Sequence, residues 1–311
     1  MGRGGQPTRL LARAMGNLLF SSARTWARAD GGDVTGAFVF CTILSVNCIH
    51  LGYDGPLAAA AAAGEDAGVV VRRPISAHAI AQSTSLPYET VRRRVHAMIA
   101  SGTLARERGG LVVPADVLRR PTIVAAMREV RGLLNEVRAV LISIGWDLVA
   151  LAGSDTVKPV PPSDALVARI VLDAHIRSLE TIAPAFGDMV RAYIFHGVLR
   201  ANLADLLSDG ELAWRYAHDD TPPPDAIRKP ITIRELARHV EMPFETVRRQ
   251  VGQLVASGAL VTVGNTGVIA PSSATTNEQA DQRNGKLAIE FFKMLTTLAR
   301  VGAFLPEALP A

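Results

Sequence analysis

The chain has 311 residues, 49% of them hydrophobic and 20% charged, with a formal charge of +4 and a pI near 9.4. That length provides two or so domains, each with a sizeable core. Two cysteines, Cys41 and Cys48, exclude a disulfide framework; about two helical turns apart, they read as buried reduced thiols of a reducing cytosol.

In chain order, the first twenty residues carry Arg and apolar residues but no signal-peptide core or cleavage site, and the pattern predicts a helix over roughly 8–28. A second helix is expected over 33–51. Its apolar run Val34–Leu51 is at the short end for a membrane span and contains Asn47 and His50, so a core helix and no membrane contact are expected. A Gly-, Pro- and Ala-rich stretch (52–68) carries no assignable function. RPIS (73–76) reads as a short strand, and Ser76 as the cap of a helix with Ile80 and Ala81 on its apolar side. The next helix is expected to begin with Pro87 at its first position and Glu89 near its positive end. Val91, Val95, Met98 and Ile99 form one buried stripe, and Ser101-Gly102 stops the helix. Two alternating segments turned by Gly109-Gly110 form a hairpin ended by Pro114, and a long helix over roughly 121–150 follows.

Then the chain repeats itself. Leu86–Leu104 (LPYETVRRRVHAMIASGTL) and Met242–Leu260 (MPFETVRRQVGQLVASGAL) share 11 of 19 positions, and Gly32–Asn47 aligns with Gly187–Asn202. Such spacing marks a duplicated structural unit. The second copy predicts helices over 163–184 and 188–208, the latter interrupted by Arg191, Arg200, Asn202 and Asp205, then an acidic Pro-rich stretch (217–227) and a short strand KPIT (229–232). Thr232 and Glu235 have capping-box spacing before Leu236, Ala237 and Val240. Pro243 opens the third helix, with the stripe Val247, Val251, Leu254, Val255 and the stop Ser257-Gly258. A hairpin turned by Gly264-Asn265-Thr266-Gly267 and ended by Pro271 leads to a closing helix over 277–305. The expected fold is mainly α with two small hairpins. Repeat 1 covers 1–151, a linker 152–163, and repeat 2 164–311, with the helix–turn–helix–hairpin units at about 73–118 and 229–274.

Basic charge gathers in these units. Val71–Arg120 holds nine Arg against Glu89, Glu107 and Asp116; Arg228–Thr275 holds five Arg and one Lys against Glu235, Glu241 and Glu245. Local basic units in an otherwise mildly acidic chain are the electrostatic footprint of a polyanion binder. No Cys or His grouping has zinc-ligand spacing, and the seven histidines are scattered, with His175 and His196 reading as core or surface residues of helices. No phosphate-binding glycine loop, nucleophile–base pair or carboxylate constellation stands out, so no enzyme activity, metal or cofactor is expected.

Strand, helix, turn, helix ending in Ser-Gly, then hairpin: over about 45 residues per copy this order resembles the winged helix-turn-helix of bacterial transcription regulators. The pattern TVRR-x-V…SG-x-L is most similar to that of the GntR, MarR and IclR groups. The resemblance implies a recognition helix in the major groove of double-stranded DNA. With the valine stripe buried, that helix presents Tyr88, Glu89, Thr90, Arg92, Arg93 and His96 in copy one, and Phe244, Glu245, Thr246, Arg248, Arg249 and Gly252 in copy two, with Arg94 and Gln250 at the edge. An Arg fork suits guanine O6 and N7, a contact of roughly 1–3 kcal/mol in discrimination. Thr90 and Thr246 fit a phosphate near the helix start, as the resemblance implies; Glu89 and Glu245 either accept from a cytosine amine or orient the arginines. Arg106 and Arg108 flank the first hairpin tip, whereas the second hairpin (VTVGNTGV) has no charge. Copy one is therefore expected to bind harder and with a steeper salt dependence, about 0.9 in slope per phosphate contact.

The function so implied is sequence-specific transcription regulation by a cytoplasmic, nucleoid-associated protein. The fused copies would act as an intrachain pseudo-dimer or a homodimer through the two closing helices, with recognition helices about 34 Å apart, and would contact the transcription machinery. A plasmid- or phage-type replication initiator and a winged-helix adaptor that binds protein are the alternatives.

Overall fold

The chain opens with α1 (Thr8–Ala29) and α2 (Val34–Cys48). Asp33 starts α2 by accepting from the Gly36 N–H at 2.9 Å, which satisfies one orphan donor of the first turn. α2 is apolar on every side and buried on nearly every side, as a helix without a polar face must be. By length and composition Val34–Leu51 could cross a membrane; 78% of it is buried inside the fold. After a 3-10 turn come α3 (Pro56–Ala63), α4 (Ala77–Thr84), α5 (Tyr88–Ala100), β1 (Ala105–Glu107), β2 (Gly110–Val112), α6 (Ala115–Leu118) and α7 (Pro121–Ser143). The second half gives α8 (Asp164–Phe186), α9 (Met189–Asn202), α10 (Ala204–Ser208), α11 (Gly210–Arg215), β3 (Ile231–Thr232), α12 (Ile233–His239), α13 (Phe244–Ala256), β4 (Val261–Val263), β5 (Gly267–Ile269) and α14 (Glu278–Arg300). The protein is mainly helical with two small antiparallel sheets.

This computed structural model describes residues 7–29, 32–64, 72–153, 161–218, 221–264 and 267–305. The first six residues, most of the expected linker (154–160), the end of the Ala-rich stretch, residues 219–220 of the acidic stretch and Asn265-Thr266 of the second hairpin turn lie outside the described residues.

Several boundaries differ from expectation for local reasons. α7 ends at Ser143 rather than near 150, because Gly145 takes a φ of 84° and Trp146 N donates back to Leu141 O at 3.0 Å, a glycine-dependent stop. α14 ends at Arg300 the same way, with Gly302 at φ 81° and Ala303 N bonded to Leu298 O. Pro87 and Pro243 are not the first helical residues: their ψ of 132° and 134° is extended, so each precedes its helix. Pro87 O accepts from Thr90 N and Val91 N there. The strand expected at 73–76 shrinks to one bridge, Ile75 with Leu111, since Pro74 has no N–H and Ser76 turns away to cap α4 at 3.1 Å. Its counterpart β3 is two residues long and pairs with β5, giving the order β3-β5-β4.

Two compact units result. One contains residues 1–20 and 181–288, the other 21–180 and 289–311. The unit holding the second repeat therefore includes the start of α1, and the unit holding the first repeat includes the start of α8. Arg13 and Arg169, 156 positions apart, anchor these visiting segments. Arg13 donates to Ala213 O at 2.8 Å and Tyr216 O at 2.9 Å, occupying carbonyls orphaned at the end of α11. Arg169 donates to Cys48 O at the end of α2. Cys41 and Cys48 are buried thiols not joined in a disulfide, and burial pushes the Cys48 thiol up.

Candidate nucleic-acid interface

The same buried stripe orients the third helix of each repeat. Val91, Val95 and Met98 of α5 face the core with α2 behind them, and Val247, Val251 and Leu254 of α13 do so with α9 behind them. Burying such side chains stabilises each by about 1.5–3 kcal/mol, which fixes the opposite face outward.

A second device, unforeseen as such, ties each hairpin to its scaffold. Asn47, wholly buried at the end of α2, donates to Arg73 O at 2.7 Å and Leu111 O at 3.2 Å and accepts from Val113 N at 2.9 Å. Asn202, at the end of α9, donates to Lys229 O at 2.7 Å and Val268 O at 3.3 Å and accepts from Ala270 N at 2.8 Å. One amide thus bonds three backbone groups around the hairpin, of which Leu111 O also accepts from Ile75 N at 3.2 Å. The signal was in the sequence: both aligned helix-two segments end in Asn.

Outward, α5 places Tyr88, Glu89, Arg92, Arg93 and His96 on one exposed face, with Thr90 half-buried at its start. α13 places Phe244, Glu245, Arg248, Arg249 and Gly252 in the same row, with Thr246 half-buried. Tyr88 and Phe244 are about half exposed, at 50% and 43%. Glu89 accepts twice from Arg92, at 2.6 and 2.8 Å, and Glu245 accepts from Arg248 at 2.9 Å. The bond from Arg92 holds the Glu89 carboxyl below its ordinary range, and Glu89 raises Arg92 in turn; Arg248 is raised by Glu245. Both pairs lie in solvent, where such bridges are weak, so either arginine can exchange its glutamate for another acceptor.

The two edge residues depart from that row. Arg94 turns inward and pairs with Asp33, the residue that caps α2. Gln250 is buried. At the matching place in copy two, Asp188 caps α9 and is paired instead by Arg191 at 3.1 Å, on its own helix. Position 36, which aligns with Arg191, is Gly. Each capping aspartate thus keeps one guanidinium, supplied from different helices.

The hairpins also divide. Arg106 and Arg108 are exposed around the first tip, with Arg106 paired across the ladder to Leu111. β4 is exposed along its length and uncharged. Among the described residues no group of three or more His, Cys, Asp or Glu is placed to hold a metal ion. No protein-family model, no curated protein and no solved structure matches this chain.

Proposed function

We propose that this protein is a sequence-specific double-stranded DNA-binding regulator of transcription, built from tandem winged helix-turn-helix units. The observation that carries the reading is the doubled outer row: aromatic, Glu, Thr, then an Arg pair, exposed on the side opposite a buried valine stripe and followed each time by a hairpin. Few pressures other than a shared polyanionic ligand would keep two exposed arginines in register in two helices that differ at Tyr88/Phe244, Arg94/Gln250 and His96/Gly252. In this reading α5 and α13 enter successive stretches of major groove, Arg92, Arg93, Arg248 and Arg249 meet base edges, and Thr90 and Thr246 meet phosphates. Glu89 and Glu245 hold one arginine of each pair extended until the groove replaces them. Because His96 faces Gly252 in the alignment, the half-sites are related but unequal. Genome-wide immunoprecipitation of bound DNA tests this: enriched sites sharing a two-part motif are expected, and a chromosome without enriched, motif-bearing sites would overturn it.

A further inference from the structure

The second copy has an uncharged hairpin, yet its α12 carries two arginines that the first copy lacks. Arg234 and Arg238 lie one turn apart, both exposed, at the positions where α4 has His78 and Gln82. Conversely, Arg106 and Arg108 of the first hairpin align with Thr262 and Gly264. Basic charge has moved from the hairpin in one copy to the first helix of the pair in the other.

Around those arginines the surface is concave. An open hollow of about 490 Å3 is lined by Arg234, Ala237, Arg238, Glu241, Met242 and Phe244, between α12 and the start of α13. The exposed Phe244 ring walls one side, immediately before the outer row of α13. Of the acidic neighbours, Glu235 is occupied: its carboxylate accepts from the Thr232 N–H at 3.1 Å and the Thr232 hydroxyl at 2.7 Å, completing a capping box. Glu241 forms the turn at the rim.

The geometry points to this hollow as a seat for the DNA backbone: Arg234 and Arg238 grip phosphodiester oxygens beside the groove that α13 enters. In helix-turn-helix docking the first helix crosses the backbone, so cations one turn apart on it face successive phosphates. The two copies then clamp the duplex by different elements, the first with its hairpin and the second with its first helix. This rests on the DNA-binding reading above, and it removes the expectation that copy two contributes little to salt dependence.

The test is fluorescence anisotropy of the full chain with a labelled mixed-sequence duplex across a salt series. Arg234→Ala with Arg238→Ala should reduce the slope of log affinity against log salt by about 1.8, two phosphate contacts at about 0.9 each. Arg106→Ala with Arg108→Ala should do the same, whereas His78→Ala with Gln82→Ala should leave the slope unchanged. Arg234→Lys with Arg238→Lys should restore it, since phosphate needs only the charge. A wild-type slope in the Arg234/Arg238 alanine variant, with a reduced slope in the Arg106/Arg108 variant, would overturn the seat while leaving DNA binding intact. No binding of any duplex by the wild-type chain would instead overturn the underlying function.

Discussion

The first and second repeats keep one buried frame and redistribute their surface charge. Asn47 and Asn202 make the same three bonds to equivalent backbone groups. Asp33 and Asp188 cap equivalent helices, but one draws its cation from the third helix and the other from its own. The exposed arginines of the hairpin in one copy have their counterpart on the first helix of the other. A buried polar group has no water to fall back on, so its partners are fixed. A surface cation can move to any place from which it still reaches its target. The shared residues therefore mark the frame and the row Glu–Thr–Arg–Arg, and the unshared ones mark where each copy meets its own surroundings.

That comparison is broken most sharply at the asparagines. Asn47→Ala and Asn202→Ala should each cost about 3 kcal/mol, because each removes three hydrogen bonds and leaves a buried backbone N–H, Val113 or Ala270, without its acceptor. Denaturant unfolding followed by circular dichroism should show similar losses; a loss in one variant alone would mean that the frames are not equivalent.

The next difference is acidic. His196, whose ring packs against Gly16, stands where copy one has Cys41. Burial, helped by Arg200, lowers its pKa from 6.5 to about 4. The unfolded chain therefore takes up the proton first, and the contribution of the neutral ring is complete above about pH 6.5 and is lost as pH falls toward 4. The shift corresponds to about 3 kcal/mol, trimmed to about 2 by the residue's partial exposure. His196→Gln should flatten stability between pH 6.5 and 4; an unchanged pH slope would show that the ring is solvated.

Smaller effects separate frame from interface. Arg94→Gln, which copies position 250, should cost about 1 kcal/mol through the partly exposed Asp33 pair and leave the salt slope of DNA binding unchanged. A fall in that slope would return Arg94 to the DNA face. Ser85 and Glu241 hold the turns at φ 53° and 52°, where a side chain is strained. Ser85→Gly and Glu241→Gly should each raise stability by about 0.5 kcal/mol, the relief of left-handed strain less the entropy that glycine loses. Thermal melts showing a loss would mean that the side chains carry contacts outweighing the strain.

Much of this was legible because it is periodic or doubled: the valine stripes, the Ser76 and Thr232 caps, the Ser-Gly stops and the outer rows all follow from local pattern. Helix ends failed where one glycine decides, as at Gly145, because an apolar pattern runs on past a residue whose backbone has already turned left-handed. For Arg94 and Gln250, helical spacing gives an edge position but not the partners found there. Their orientation depends on Asp33 and on the packing of another helix, neither of which helical spacing encodes. The first-helix arginines were overlooked because charge on a short helix looks like any solvated face until the concavity beside it is seen.

That both arginine pairs read DNA is the core of the proposed function. It is met most directly by measuring the affinity of Arg92→Ala/Arg93→Ala, Arg248→Ala/Arg249→Ala and the combined variant for a genomic duplex recovered by immunoprecipitation with the wild-type chain. Each pair should weaken binding at least tenfold, at roughly 1–3 kcal/mol per base contact, and the combined variant should lose preference for that duplex over a scrambled one. Wild-type affinity and preference in both pair variants would mean that these arginines do not read DNA.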